Sequence, residues 1–128
     1  MSLNLKAFQD SIISLDRAIE QPLTEFTRDS VIQRFEYTYE LAWKMLRRIL
    51  KDEIGLIDIE SKSRRDLFRI ASQHSLIGDP SEWFAFNDAR NLTSHTYNIA
   101  TAEEVYSVAI RFAPAVKTLL KELEKFCE

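Results

Sequence analysis

The residues of this chain best suited to chemistry fall in one stretch, Trp83-Phe84-Ala85-Phe86-Asn87-Asp88-Ala89-Arg90-Asn91-Leu92-Thr93-Ser94-His95-Thr96-Tyr97. Arg90 supplies a permanent cation and His95 a group able to give or take a proton, with Asp88, Asn91, Ser94 and Tyr97 as polar company. Metal-independent cleavage of RNA needs a base for the 2′-hydroxyl proton, an acid for the leaving oxygen and a cation for charge developing on phosphorus. One chain offers one suitable histidine and one arginine. A two-fold dimer doubles both, because an isologous interface brings the same patch of each subunit together. A free imidazole titrates near about pH 6.5, so both of its protonation states are available to such a site.

Read as one continuous helix at about 100° per residue, the stretch places Ala85, Ala89, Leu92 and Thr96 on a core face with Phe86 and Thr93 beside them. The opposite side then carries Asp88, Asn91 and His95 in one stripe, Arg90, Ser94 and Tyr97 in another, and the aromatics Trp83 and Phe84. Large aromatics on a polar face suggest a second buried surface, an interface with a polar site in it. Taken singly, the same residues read as aromatics under a neighbouring segment, a helix-end histidine and a solvated arginine. On this wheel Arg90 and His95 stand about 140° apart, which suits a groove between two helices better than a site within one chain.

The surrounding elements are helical. Leu5, Phe8, Ile12, Leu15 and Ile19 recur at three and four residues and predict a first helix ending before Pro22. Asp29 or Ser30 is expected to cap a long second helix running to about Ile54, with Gly55 in the left-handed position past its end. Its apolar stripe is Val31, Phe35, Tyr39, Ala42, Leu46 and Ile49, flanked by Ile32, Trp43 and Leu50. Its other side shows Glu36, Glu40, Lys44 and Arg47, with Glu40 and Lys44 spaced for an i, i+4 ion pair.

Leu56 to Ser61 reads as a loop or short extended piece, and Ser63-Arg64-Arg65-Asp66 as the capped start of a third helix closed by Gly78. Leu67, Ile70 and Ala71 form the inner face of that helix, and His74 lies in its last turn. Asp79-Pro80 opens the fourth helix, with aspartate as cap and proline in the first position. Thr101 with Glu104 reads as the capping box of a fifth, along which Val105, Ala109, Phe112, Val116, Leu119, Leu123 and Phe126 repeat, and Pro114 is expected to kink it. The expected fold is an all-α, up-and-down bundle of four long helices and one shorter one, a single domain over 1–128.

Composition narrows the function classes. The chain has 128 residues, 45% apolar and 29% charged, with a net charge of −3. No apolar run approaches the length of a membrane span and no cationic-then-apolar start is present, so a cytoplasmic protein is expected. A lone cysteine, Cys127, and two distant histidines, His74 and His95, form no recognisable metal-ligand pattern. Glycine-rich phosphate loops, nucleophile elbows and paired magnesium-binding aspartates are also missing, which argues against nucleotidyl transfer by this chain itself. No cofactor is implied, and neither a membrane nor DNA is expected as a partner. Residues 44–69 nevertheless hold eight basic side chains against five acidic, enough for a local basic patch.

Arg90-Asn91-Leu92-Thr93-Ser94-His95-Thr96-Tyr97 resembles the R-x4-H-x-Y motif of the HEPN (higher eukaryote and prokaryote nucleotide-binding) superfamily, in particular its HepT-like branch. Ile32-Gln33-Arg34-Phe35-Glu36-Tyr37-Thr38-Tyr39-Glu40-Leu41-Ala42-Trp43-Lys44 resembles the other signature of the bacterial nucleotidyltransferase substrate-binding proteins. The two stretches together, in matching helical order, extend the resemblance over nearly the whole chain.

The resemblance implies a helical bundle that forms homodimers and works beside a minimal nucleotidyltransferase. In the HepT-like branch that pair is a toxin and its antitoxin: a metal-independent endoribonuclease, and a partner that silences it by transferring AMP to the motif tyrosine. Carried over, Arg90 and His95 are catalytic, Asn91, Asp88, Ser94, Glu40 and Lys44 support or bind, and Tyr97 is the modification site. Several ribonuclease branches follow E-x3-K with a second basic residue, whereas here Met45 follows Lys44. The resemblance also implies an alternative, a non-catalytic subunit that binds a nucleotide or other substrate for its transferase. A third possibility is a helical interaction module in which the motif has lost its function.

Overall fold

We describe residues 4–127 of the protein from a computed structural model. Five α-helices follow one another: α1 (Lys6–Glu20), α2 (Glu25–Arg48), α3 (Arg64–Gln73), α4 (Pro80–Asn91) and α5 (Ile99–Glu124), with no strand among the described residues. Helices α1, α2 and α5 pack on one another, while α3 and α4 pair and lean on α2 and α5. The expected helical periodicity is what closes the core. Phe8, Ile12 and Leu15 of α1 meet Val31, Phe35, Tyr39, Ala42 and Leu46 of α2, and Val105, Ala109, Phe112, Val116, Leu119 and Leu123 of α5, all buried.

Phe112 is the hub. Its ring meets Phe35 and Phe86 edge-on at 5.1 Å each and Trp83 at 5.7 Å, and Trp83 in turn packs on Phe68 at 5.5 Å. Edge-to-face pairs of this kind each contribute about 0.5–1.5 kcal/mol beyond the area they bury. Because Trp83 and Phe86 belong to α4, Phe68 to α3 and Phe35 to α2, this aromatic cluster fixes the helices that frame the polar groove described below.

Several helix ends lie elsewhere than their local sequence predicts. The cap of α2 is Thr24, not Asp29 or Ser30: the Thr24 hydroxyl accepts from the Thr27 N–H, and the Thr27 hydroxyl accepts from the Thr24 N–H at 2.7 Å. This reciprocal bonding satisfies two otherwise orphaned groups and starts the helix five or six residues earlier than expected. The cap of α5 is Asn98, whose side-chain oxygen accepts from the Thr101 N–H, so Thr101 lies inside the helix. Helix α3 ends at Gln73 with His74 as its C-cap; Ser75 takes the left-handed conformation at φ 61° there, ahead of Gly78. Ser63, Asp79-Pro80 and Gly55 act as expected, Gly55 at φ 87° after a wider π-type turn over Ile49–Glu53. The segment before α3 contains a short 3-10 turn, Ile59–Ser61. Helix α5 runs through Pro114 without ending.

The largest departure concerns α4. It stops at Asn91, and Thr93–His95 form a separate 3-10 turn, so angles drawn on one continuous helix through Tyr97 do not describe the motif. Its inner face is Trp83, Phe86 and Ala89, while Ala85 is exposed. The aromatic side chains remove far more apolar surface from water than an alanine, and the helix is rotated to bury them. Trp83, expected on the outer face, is only 2% exposed, and Phe84 is half-buried beneath the guanidinium groups of Arg65 and Arg69 at 4.8 and 5.0 Å. Both aromatics are therefore accounted for within the chain, which removes the aromatic argument for a second buried face.

Candidate functional site

Where α4 passes the start of α3, the two helices enclose an open groove of about 380 Å³ lined by Ser63, Arg64, Arg65, Asn87, Arg90 and Asn91. Ser63 caps α3 by accepting from the Asp66 N–H at 3.1 Å, which fixes the first turn and so the origin of Arg64 and Arg65. Trp83 and Phe86, buried two turns and one turn before Arg90, set the rotation of α4 that turns Asn87, Arg90 and Asn91 toward the groove.

Glu40 of α2 organises the cations. Its carboxylate accepts two bonds from Arg64, at 2.7 and 3.1 Å, and stands 3.4 Å from Arg90 Nε. Arg90 also lies 3.8 Å from Glu36, one turn earlier on α2. The expected partner, Lys44, makes no ion pair with Glu40 among the described residues; Glu40 instead turns to arginines 24 and 50 positions along the chain. Two planar guanidiniums in a half-buried setting offer a carboxylate better directed donors than one exposed ammonium. Burial alone would push the Glu40 carboxyl up, but the Arg64 hydrogen bond and charge, with Arg90 and Lys44 behind them, hold it below the usual glutamate value. The same bond to Glu40 raises Arg64.

Arg64 is the most firmly placed of the three arginines. Besides its fork on Glu40 it lies over the ring of Trp43 at 4.3 Å and near that of Tyr39 at 5.8 Å. Arg47 also covers Trp43, at 4.5 Å. Tyr39 crosses beneath and donates its hydroxyl to Asn87 Oδ1 at 2.8 Å, orienting that amide at the groove wall. Burial pushes the Tyr39 phenol up to about 12. Arg65 is held more loosely, reaching Asp88 at 3.2 and 3.5 Å with both side chains about half exposed.

Of the residues singled out by the sequence, Arg90 and Asn91 line the groove, and Glu40 and Asp88 touch its arginines. Ser94, His95, Tyr97 and Lys44 do not line it. Ser94, His95 and Tyr97 sit on the exposed segment after α4, where the His95 and Tyr97 rings meet edge-on at 6.4 Å and Tyr97 is 86% exposed. That turn is tied back to the helix by Thr93, whose hydroxyl donates to the Arg90 carbonyl at 2.7 Å, and by the His95 N–H on the Leu92 carbonyl. Arg64, Arg65, Asn87 and Ser63 were not read as site residues. For Arg64 and Arg65 the sequence signal is the excess of basic side chains over 44–69, which does not say which of them converge; Asn87 and Ser63 carry no such signal.

A family described as "Nucleotidyltransferase substrate binding protein like" matches residues 3–125. The chain belongs to that family. A curated family relative from Haemophilus influenzae, named "Probable ribonuclease HepT", is 42% identical over 95 residues, covering 73% of this chain and 65% of the relative's own length. The chain thus matches just under two thirds of that protein. Among solved structures, an H. influenzae protein whose description reports the fold of a substrate-binding domain of a nucleotidyltransferase aligns with a TM-score of 0.86 and 34% identity, over 94% of this chain and 99% of that one. A protein from Thermus thermophilus aligns with a TM-score of 0.81 and 29% identity, over 91% and 98%. The all-helical bundle described above is the fold of this nucleotidyltransferase substrate-binding family.

Proposed function

We propose that this protein is a metal-independent endoribonuclease that acts as a homodimer, pairs with a separately encoded minimal nucleotidyltransferase and is silenced by AMP transfer to Tyr97. The observation that carries the reading is the way the R-x4-H-x-Y segment folds. Arg90 is anchored at the end of α4 against Glu36 and Glu40, while His95 and Tyr97 are presented to solvent on the turn that follows. An arginine held in place suits the stabilisation of charge developing on a phosphate. An exposed histidine suits proton transfer to and from an RNA strand arriving from outside. The ribonuclease name of the H. influenzae relative supports the same reaction.

In this mechanism one His95 takes the ribose 2′-hydroxyl proton, and the resulting oxygen attacks phosphorus. The His95 of the second subunit protonates the departing 5′-oxygen, and Arg90 from both subunits neutralises the phosphate. A nucleotide attached to Tyr97, whose ring contacts that of His95, blocks the approach of RNA. The test is incubation of the unmodified protein, its mass verified, with bulk RNA in excess EDTA beside the His95→Ala variant. Discrete fragments from the wild type alone are expected; cleavage that survives in His95→Ala refutes the assignment.

A second reading is favoured by the arginine-lined groove and by the family's description: a non-catalytic subunit that holds a substrate for its nucleotidyltransferase. It predicts no RNA cleavage by the unmodified protein, together with a complex formed with the transferase.

A further inference from the structure

The groove between α3 and α4 contains more binding capacity than the Arg90–His95 reaction uses. Its six lining residues are three arginines, two asparagines and a serine, with no apolar side chain among them. Its volume, about 380 Å³, lies within the rough range of about 300–1,000 Å³ common to small-ligand sites. Such sites are mostly apolar, however, and a polar lining dominated by guanidiniums selects a ligand through its charge. The groove also lies over the first turn of α3, where the helix dipole favours an anion.

The three guanidiniums differ in how far they are committed. Arg64 has both terminal nitrogens on Glu40 and a face on Trp43, so it is a fixed wall. Arg90 stands 3.4 and 3.8 Å from its two carboxylates, and its Nε has no hydrogen bond among the described residues. Among the described residues Arg65 has one carboxylate partner, Asp88, at the long end of hydrogen-bond distance and open to water. An exposed ion pair of that kind offers little resistance to a competing anion. Phe84 supports the Arg65 guanidinium from below, which keeps its plane in place whether or not Asp88 is engaged.

We propose that this groove is a binding subsite for the phosphate of a ribonucleotide, in which Arg65 exchanges Asp88 for a phosphate oxygen while Arg90, Asn87 and Asn91 complete the wall. No covalent bond is made or broken; Asp88 is a resting counter-charge for Arg65 that the ligand displaces. A phosphate monoester of a free nucleotide and a phosphodiester of an RNA strand share this chemistry, since both offer paired oxygens to a planar guanidinium fork. The inference rests on the reading that the protein handles RNA or nucleotides, but it concerns binding through α3 and not cleavage through His95.

The test measures binding in the His95→Ala background, so that no RNA is consumed. One arm uses 5′-AMP and the other a short single-stranded RNA without a terminal phosphate, both at low salt. Arg65→Ala is expected to weaken at least one ligand by about tenfold, the scale of a lost charge-assisted hydrogen bond. Asp88→Asn, which removes the competing carboxylate, is expected to tighten the same ligand, and circular dichroism checks the fold of each variant. The arm that responds identifies the source of the phosphate. Unchanged affinity in Arg65→Ala, or no binding of either ligand by the parent, overturns the subsite. Cleavage by the wild type with Arg65-independent binding defeats the subsite and leaves the ribonuclease intact; Arg65-dependent binding without any cleavage does the reverse.

Discussion

Tyr39 joins the core to the polar groove, with its ring packed between Phe35, Phe68 and Phe112 and its hydroxyl on Asn87. Burial raises its phenol from 10.0 to about 12. The folded state therefore holds this proton more tightly than the unfolded chain does. The associated stability is complete below the unfolded value of about 10 and is lost as pH rises through about 12, roughly 3 kcal/mol in all. Denaturant titrations at stepped alkaline pH are expected to show this loss in the wild type and a smaller one in Tyr39→Phe. The phenylalanine variant is also expected to be less stable at neutral pH by about 1 kcal/mol, because the Asn87 oxygen loses its donor. Equal alkaline losses in the two proteins rule out Tyr39 as the titrating group. The sequence showed Tyr39 as a core residue in the apolar stripe of α2, which it is. Its link to Asn87, 48 residues away, has no local signature, and the Glu40–Arg64 fork is hidden in the same way behind the nearer Lys44.

At the scale of elements, the site depends on where α3 begins. The Ser63 hydroxyl on the Asp66 N–H holds the first turn, and Arg64 and Arg65 are the first two residues of that turn. Ser63→Ala is expected to cost about 1 kcal/mol of global stability, as other lost N-caps do. It should also weaken phosphate binding more than its stability cost suggests, because the fraying falls on both arginines. A variant with lower stability but unchanged binding of 5′-AMP separates the cap from the groove. Caps were legible where the side chain had one candidate start, as at Ser63 and Asp79-Pro80. They are misread at α2 and α5, where Thr24 competes with Asp29 or Ser30 and Asn98 with Thr101, and only the side-chain bonds to backbone N–H groups decide. The end of α4 was equally hidden. Arg90 to Tyr97 contains neither glycine nor proline to mark the stop at Asn91.

At the scale of the whole molecule, the aromatic cluster around Phe112 settles the orientation of α4 from inside the chain, yet it leaves His95 and Tyr97 facing solvent. A base and an acid are both required for metal-independent cleavage, and one subunit presents a single His95, which is why the proposed site spans a two-fold interface. That stoichiometry can be measured without seeing the interface. Wild-type and His95→Ala subunits are mixed in varying ratio, unfolded and refolded together so that they assort at random, and assayed on RNA in EDTA. If each site needs both histidines, only wild-type homodimers cleave, and activity follows the square of the wild-type fraction. An equal mixture then retains about one quarter of the activity, whereas a site complete in one chain retains about one half. A linear dependence places base and acid within a single subunit, and a second proton-transfer group must then be found among the residues already around Arg90, with Glu36 and Glu40 the nearest carboxylates.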